Sequence, residues 1–313
     1  MATERFPFCT VIELFDSSHQ QLRPFQINSE LFMRRPAGRF ASRQGSRNGN
    51  HLLYLEQAES TGQLLQITFL ATTADSTAAP GPKVRIPKTM HICLFDIDGT
   101  LLNTGGAGQA AMEAALRADF GITWPAKGIP MAGRTDRAIL VDLLEHFGLS
   151  GDSETWNTVR AGYLHHLPRT LDDRAGSVLP GIAVLLEALA ARDDVSLGLL
   201  TGNFRDGARL KLKYYALHHH FEFGGYGDEH LHRDDVARQA LETANSHHND
   251  SVELNRVWVI GDTPADIACA RAIGANAVAV GTGLYPLDEL EAAKPDHLLA
   301  DFADPEPLWS LLR

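Results

Sequence analysis

Residues 90–313 read as an α/β fold, a doubly wound parallel sheet with helices on both faces. Three observations predict it. Short, unbroken apolar runs occupy residues 92–95, 195–200, 257–260 and 277–280, with a weaker run at 221–223 and a candidate edge strand at 297–299. Such runs mark strands buried on both faces. Amphipathic segments of helical period alternate with them, the pattern of strand, helix and strand that gives parallel sheets. Polar residues follow the runs at once, where open α/β sheets hold their ligands.

Residues 1–89 form a different kind of sequence. Apolar pieces at 10–15, 51–55 and 64–70 suggest strands separated by polar, Arg-rich stretches such as 39–47. Residues 71–88 are rich in Ala, Thr and Pro and read as a linker. This extension is either β-rich or poorly ordered; no core-sized periodicity appears in it, which favours the second.

The first core strand, 92–95, ends in Asp96-Ile97-Asp98-Gly99-Thr100. About 100 residues separate it from the second, too many for one crossover. Helical stretches at 109–120, 134–147 and 154–167 make an insert over 104–176, entered through Gly105-Gly106-Ala107-Gly108. Glycines there suit the hinge of a lid. The core resumes at 177, with helices expected at 180–192, 206–217 and, more weakly, 235–244. Thr263-Pro264-Ala265-Asp266 opens the next one with a cap, a first-position proline and an acid, and Gly274 closes it.

Composition narrows the function. The net charge of −11 is uneven, since residues 1–89 carry 10 Lys+Arg against 7 Asp+Glu and the rest 18 against 32. So acidic a body argues against nucleic acid or an anionic membrane as partner. No apolar run approaches a membrane span, and the N-terminus lacks the apolar stretch of a signal peptide. Cys9, Cys93 and Cys269 are odd in number, and free thiols in a reducing compartment explain them. A cytoplasmic protein is expected.

The chemistry gathers at the strand ends. Asp96 and Asp98 follow a buried strand and repel each other unless a cation or a proton lies between them. Asp262, after Gly261, joins them on the same sheet edge. The three make an oxygen-rich site of the kind Mg²⁺ prefers. Thr201-Gly202-Asn203 offers a hydroxyl and backbone N–H groups near a helix start, which suits an anion. A carboxylate nucleophile, a metal, an acid and an anion cradle amount to phosphoryl transfer through an aspartyl-phosphate.

Three segments carry a family resemblance: Asp96-Ile97-Asp98-Gly99-Thr100-Leu101, Leu199-Leu200-Thr201-Gly202-Asn203 and Ile260-Gly261-Asp262-Thr263-Pro264-Ala265-Asp266. They resemble, in order, three motifs of the haloacid dehalogenase-like (HAD) hydrolases. Gly133-Arg134-Thr135-Asp136 in the insert is similar to the cap of the phosphoglycolate phosphatase-like branch. The resemblance implies a Rossmann-like core over 90–103 and 177–313 with a helical cap over 104–176. It implies Asp96 as nucleophile and Asp98 as the acid that protonates the leaving oxygen and then activates water. Mg²⁺ would be held by Asp96, the Asp98 main-chain carbonyl and Asp262, with Asp266 behind them. Thr201, Gly202 and Asn203 would bind the phosphoryl group, and Arg134 the substrate. The second aspartate separates phosphatases from the dehalogenases of the family. The substrate expected is a small phosphate ester; its identity and the oligomeric state stay open. A phosphomutase, or a silent phosphate-binding protein, is the alternative.

One departure from the family pattern concerns its lysine before the fourth strand. The matching stretch offers Arg233, with Lys213 on the preceding helix as the rival. Two readings need no chemistry at all. Asp266 fits a helix cap as well as a metal's surroundings. His218-His219-His220 is explained by the end of a helix, since consecutive histidines on a helix point in different directions.

Overall fold

The chain, seen in a computed structural model, divides into two compact units, Met1–Val84 and Arg85–Arg313. The structure describes residues 90–123, 128–249 and 251–312, and ahead of them the backbone of five strands. Those strands are β1 (Leu14–Phe15), β2 (Gln21–Leu22), β3 (Ala41–Arg47), β4 (Asn50–Ala58) and β5 (Leu64–Ala71). β3, β4 and β5 pair antiparallel in that order, and β1 pairs with β2. The apolar pieces 51–55 and 64–70 fall inside β4 and β5. The polar stretch expected as a separator supplies β3, whose ladder is made by backbone groups irrespective of side-chain polarity. The linker expected at 71–88 lies outside the described residues except for Ala71.

The second unit is built on a six-stranded parallel sheet. Its strands are β6 (His91–Phe95), β9 (Val195–Leu200), β10 (Phe223–Gly225), β11 (Val257–Gly261), β12 (Asn276–Val280) and β13 (His297–Leu299). Their order across the sheet is β10-β9-β6-β11-β12-β13. A short antiparallel pair, β7 (Leu102–Asn103) with β8 (Ser177–Val178), brackets the helical insert. β6 is central and buried throughout, because both faces are covered. Cys93 and Phe95 enter one apolar core, Ile92 and Leu94 the other, as the alternation of a strand requires. The first core receives Leu185 of α4 (Ile182–Ala190) and Leu212 of α5 (Arg205–Tyr214). The second receives Val236 of α6 (Arg233–His248) and Ile267 of α7 (Pro264–Ile273). Helices on both faces make the sheet doubly wound, as expected.

The weak strand moves by two residues. It forms at Phe223-Gly224-Gly225, whose glycines carry no apolar signal but allow close approach. A Cβ at Gly225 would collide with the carbonyl of Val236 in α6. Two short helices, α8 (Leu287–Ala292) and α9 (Glu306–Leu311), complete the core.

The insert holds α1 (Ala107–Phe120), α2 (Asp136–His146) and α3 (Ser153–Asp173). They share a core of their own, with Met112, Leu116, Leu140, Leu143, Val159 and Leu167 packed around Phe204 from the edge of α5. α3 runs through Pro168 to Asp173 because Leu171 is buried in that core. α1 and α3 touch at Gly162, where a Cβ would stand 2.9 Å from that of Ala115. His218–His220 forms a separate 3₁₀ turn after α5 rather than the end of a helix. Among the described residues, no helix is long and apolar enough to cross a membrane.

Candidate active site

β6, β9 and β11 point their carboxyl ends the same way, so Asp96, Thr201 and Asp262 meet at one edge. The backbone N–H of Asp96 donates to the Ile260 carbonyl at 2.9 Å, which continues the ladder up to the site. Gly99, at φ 86°, turns the chain away under the Asp262 carboxylate, where a Cβ would collide with it. No other residue fits there. Between this edge and the insert lies a cavity of about 420 Å³, lined by Asp96, Asp98, Asn203, Lys211 and Asp262 from below. Met112 and Tyr163 line it from the insert.

Asp96 and Asp262 are buried and charge-frustrated. Burial raises the Asp96 carboxyl to about 7; Arg233 works against that rise, while Asp266 and Asp98 add to it. Burial raises Asp262 to about 8, helped by Asp266 and Asp96. Oδ1 of Asp96 has no hydrogen-bond partner among the described residues, although buried. Carboxylate oxygens of Asp96, Asp262 and Asp266 lie within 4.8 Å of one another. Thr100 fixes Asp262 by donating to Oδ1 at 3.0 Å. A buried oxygen without a hydrogen bond, among like charges, fits a divalent cation with oxygen ligands.

Asp266 takes a supporting place. One of its oxygens is held by Arg233, and the other accepts the Thr263 backbone N–H at 3.0 Å and its hydroxyl at 2.7 Å. The expected cap is therefore present, and the carboxylate also anchors the site's arginine. Both oxygens are engaged, which leaves Asp96 and Asp262 as the open carboxylates.

Asp98 is treated differently from Asp96. Burial would raise it, but Lys211, Asn203 and Thr104 outweigh burial and hold it below the ordinary carboxylate range. The Lys211 ammonium reaches its Oδ2 at 2.5 Å and the Asn203 side-chain oxygen at 2.6 Å. Asn203 Nδ2 donates to the same Asp98 oxygen and to the Thr201 hydroxyl oxygen, both at 2.8 Å. Two aspartates two residues apart thus stand in opposite electrostatic states. Asp98 already meets a cation in Lys211, whereas the crowded Asp96 calls for further positive charge of the kind a bound cation brings.

The cations are placed as follows. Arg233, the first residue of α6, lies 3.6 Å from Asp96 Oδ1 and pairs with Asp266, buried with both. Lys213 is exposed and is no rival. The lysine of the site is Lys211, which the sequence reading missed although it lies only two residues away. On α5 the side chain at 211 faces the cavity, whereas that at 213 has turned through about 200°. Arg134 lines the cavity wall while its guanidinium pairs with Asp142 at 2.7 Å. Asp136 has a clearer structural task. Its N–H donates to the Gly202 carbonyl at 2.7 Å, and its carboxylate accepts the Phe204 N–H at 2.8 Å. The start of α2 thereby grips the Thr201-Gly202-Asn203 loop. A Cβ at Gly202 would strike the Arg134 carbonyl, so that grip requires glycine.

A parallel sheet with two carboxylates after its central strand, an acid after the next and a helical insert above them defines a Rossmann-like α/β core with an inserted helical unit. Residues 93–280 match the model of the haloacid dehalogenase-like hydrolases, and the chain belongs to that family. It is 30% identical to a phosphoglycolate phosphatase of Synechococcus elongatus over 69% of this chain and 95% of that one. It is 26% identical to a phosphoglycolate phosphatase of Photorhabdus laumondii, over 70% and 92%. A hydrolase from Pseudomonas syringae has a similar fold, with a TM-score of 0.55 at 23% identity, covering 71% of this chain and 98% of that one.

Proposed function

We propose that the protein is a Mg²⁺-dependent phosphatase that hydrolyses a small phosphate monoester through an aspartyl-phosphate on Asp96. The clustering of the buried Asp96 and Asp262 carboxylates beside Asp98, Thr201 and Lys211 at one sheet edge supports this reading. Residues 90–103 and 177–313 serve as the catalytic core and 104–176 as the cap, with 1–89 as an extension outside the reaction. Asp96, the Asp98 main-chain carbonyl and Asp262 would hold Mg²⁺, with Asp266 behind them. Bound there, the ion supplies positive charge against the carboxylates and phosphoryl oxygens.

In the first half-reaction an Asp96 oxygen bonds to phosphorus as the bond to the leaving oxygen breaks. Asp98 gives its proton to that oxygen. In the second, Asp98 takes a proton from water, the water oxygen bonds to phosphorus, and Asp96 is released. The Thr201 hydroxyl already accepts from Asn203, so its own hydrogen is available to a phosphoryl oxygen. Gly202 shapes that loop, and Arg134 forms part of the substrate side of the cavity. Lys211 gives Asp98 its timing. While the ammonium holds Asp98, that carboxyl is anionic; when the ammonium turns to an incoming phosphoryl group, Asp98 gains proton affinity and can act as the acid.

Lys211→Met is therefore expected to lower kcat/KM by about 10²-fold. It also frees Asp98 from its main cation, so the basic limb of the kcat/KM profile, which falls as Asp98 loses its proton, moves to higher pH. An unchanged limb would deny Lys211 this role. The test of the activity itself is phosphate release from a panel of metabolite monoesters and an aryl phosphate, with and without Mg²⁺. Mg²⁺-dependent release from some members supports the reading, and no release from any between about pH 5 and 9, the range in which these groups titrate, overturns it.

The same carboxylates make metal binding visible in stability. Folding raises the proton affinity of Asp96 and Asp262, so their contribution is fully present below the unfolded value near 4 and is lost as pH rises through about 7 to 8. Metal-free protein should melt several degrees lower at pH 8.5 than at pH 5.5. Added Mg²⁺ should recover more of the loss at pH 8.5, where it meets ionised carboxylates. Equal Mg²⁺ effects at both pH values would contradict that assignment.

A further inference from the structure

At the opposite edge of the sheet, three metal-ligating side chains converge outside the site just described. His219 and His220 lie in the 3₁₀ turn that leads into β10, and Glu187 lies in the last half of α4. The turn precedes the amino end of β10, while Asp96, Thr201 and Asp262 follow the carboxyl ends of their strands. Glu187 Oε1 stands 3.9 Å from His219 Nε2 and 3.8 Å from His220 Nε2. All three ligand atoms lie within 4.8 Å of one another. We propose that Glu187, His219 and His220 form a second metal site, for Zn²⁺ or a similar first-row transition ion, at the amino edge of the sheet.

The local geometry makes the convergence possible. On a regular helix neighbouring histidines diverge by about 100°. Here α5 has already ended, and Ala216 turns the chain at φ 58°. The tighter 3₁₀ turn then brings the two rings to 4.0 Å between centroids. The distances to Glu187 are too long for hydrogen bonds. Three donors thus surround a gap instead of binding one another. A tetrahedral ion with bonds of about 2.0 to 2.1 Å sets its donors about 3.4 Å apart, so the two distances from Glu187 need to contract by about half an ångström. Glu187 is largely exposed and free to move by that much.

The chemistry of the donors selects the ion. The His220 side chain is 4% exposed, and burial keeps its imidazole neutral to lower pH than usual, with His219 acting in the same direction. A neutral imidazole is a ligand; a protonated one is not. Two imidazoles and one carboxylate suit Zn²⁺, Co²⁺ or Ni²⁺ and are poor company for Mg²⁺, which demands oxygen. With three protein ligands, water completes the set. The bound ion would tie α4 to the segment entering β10 and leave the catalytic edge untouched.

Titration of the metal-free full chain with Zn²⁺ against a chromophoric chelator tests this, with Glu187→Gln and His219→Ala as variants. Both side chains are more than half exposed, so both variants should fold. The wild-type chain should bind one more Zn²⁺ equivalent than either variant, and excess Mg²⁺ should not displace it. Mg²⁺-supported phosphate release should be the same in all three. Equal Zn²⁺ stoichiometry in the wild type and both variants, or an extra equivalent that Mg²⁺ removes, overturns the proposal.

Discussion

Asp96→Asn should lower phosphate release by about 10⁴-fold or more, the scale of loss when a covalent nucleophile is removed. The amide is isosteric and cannot form an acyl phosphate. The substitution also removes one of the like charges crowded around Asp262, which relieves a repulsion present in the metal-free fold. Asp96→Asn is therefore expected to melt no lower than the wild type in the absence of metal, and to gain less from added Mg²⁺. Loss of activity with a preserved or raised melting temperature separates a catalytic role from a structural one. A variant that retained a tenth of wild-type turnover would rule out Asp96 as the nucleophile.

Arg233→Ala should cost both activity and stability. Its guanidinium, 7% exposed, lies between Asp96 and Asp266, which are buried with it. Removing it strands two carboxylates among like charges, for which about 3 to 5 kcal/mol is the usual cost. Denaturant unfolding should show that loss near neutral pH. Part of it should return in acid, where Asp96 binds a proton. Arg233→Lys should recover charge but not the two-pronged geometry that spans both acids. Lys213→Ala, on the exposed side of α5, should change neither property. The reverse result, a silent Arg233→Ala and a damaging Lys213→Ala, would reassign the cation.

The carboxyl edge of the sheet was legible in the sequence because buried parallel strands are nearly pure apolar text. β6, β9, β11 and β12 announce their ends where the first acid or hydroxyl appears, so Asp96, Thr201 and Asp262 could be placed together. Asp266 was legible only as an alternative, since cap and support use the same position; the structure shows the cap, with the other oxygen held by Arg233. Lys211 was not legible. Nothing in the local pattern of α5 distinguishes it from Lys213, and only the angle at which α5 crosses the cavity buries one and exposes the other. Asp136 carried a motif but no stated task, because its partners lie 66 to 68 positions further along the chain. β10 was misplaced by two residues for a related reason. Its glycines are chosen by the crowding of Val236 and Leu199, which a strand signal does not record. The histidine turn shows the same limit, since its convergence depends on α5 ending early at Tyr214.

The covalent intermediate is the centre of the account, and it can be looked for directly. Wild-type protein mixed with an excess of a turned-over phosphate ester and quenched in acid within one turnover should carry a single phosphoryl group. Peptide mass analysis should place it on the segment containing Asp96, and hydroxylamine should release it, as an acyl phosphate requires. A quenched protein with no label during active turnover, or a label on a histidine, serine or cysteine elsewhere, would contradict the aspartyl-phosphate mechanism.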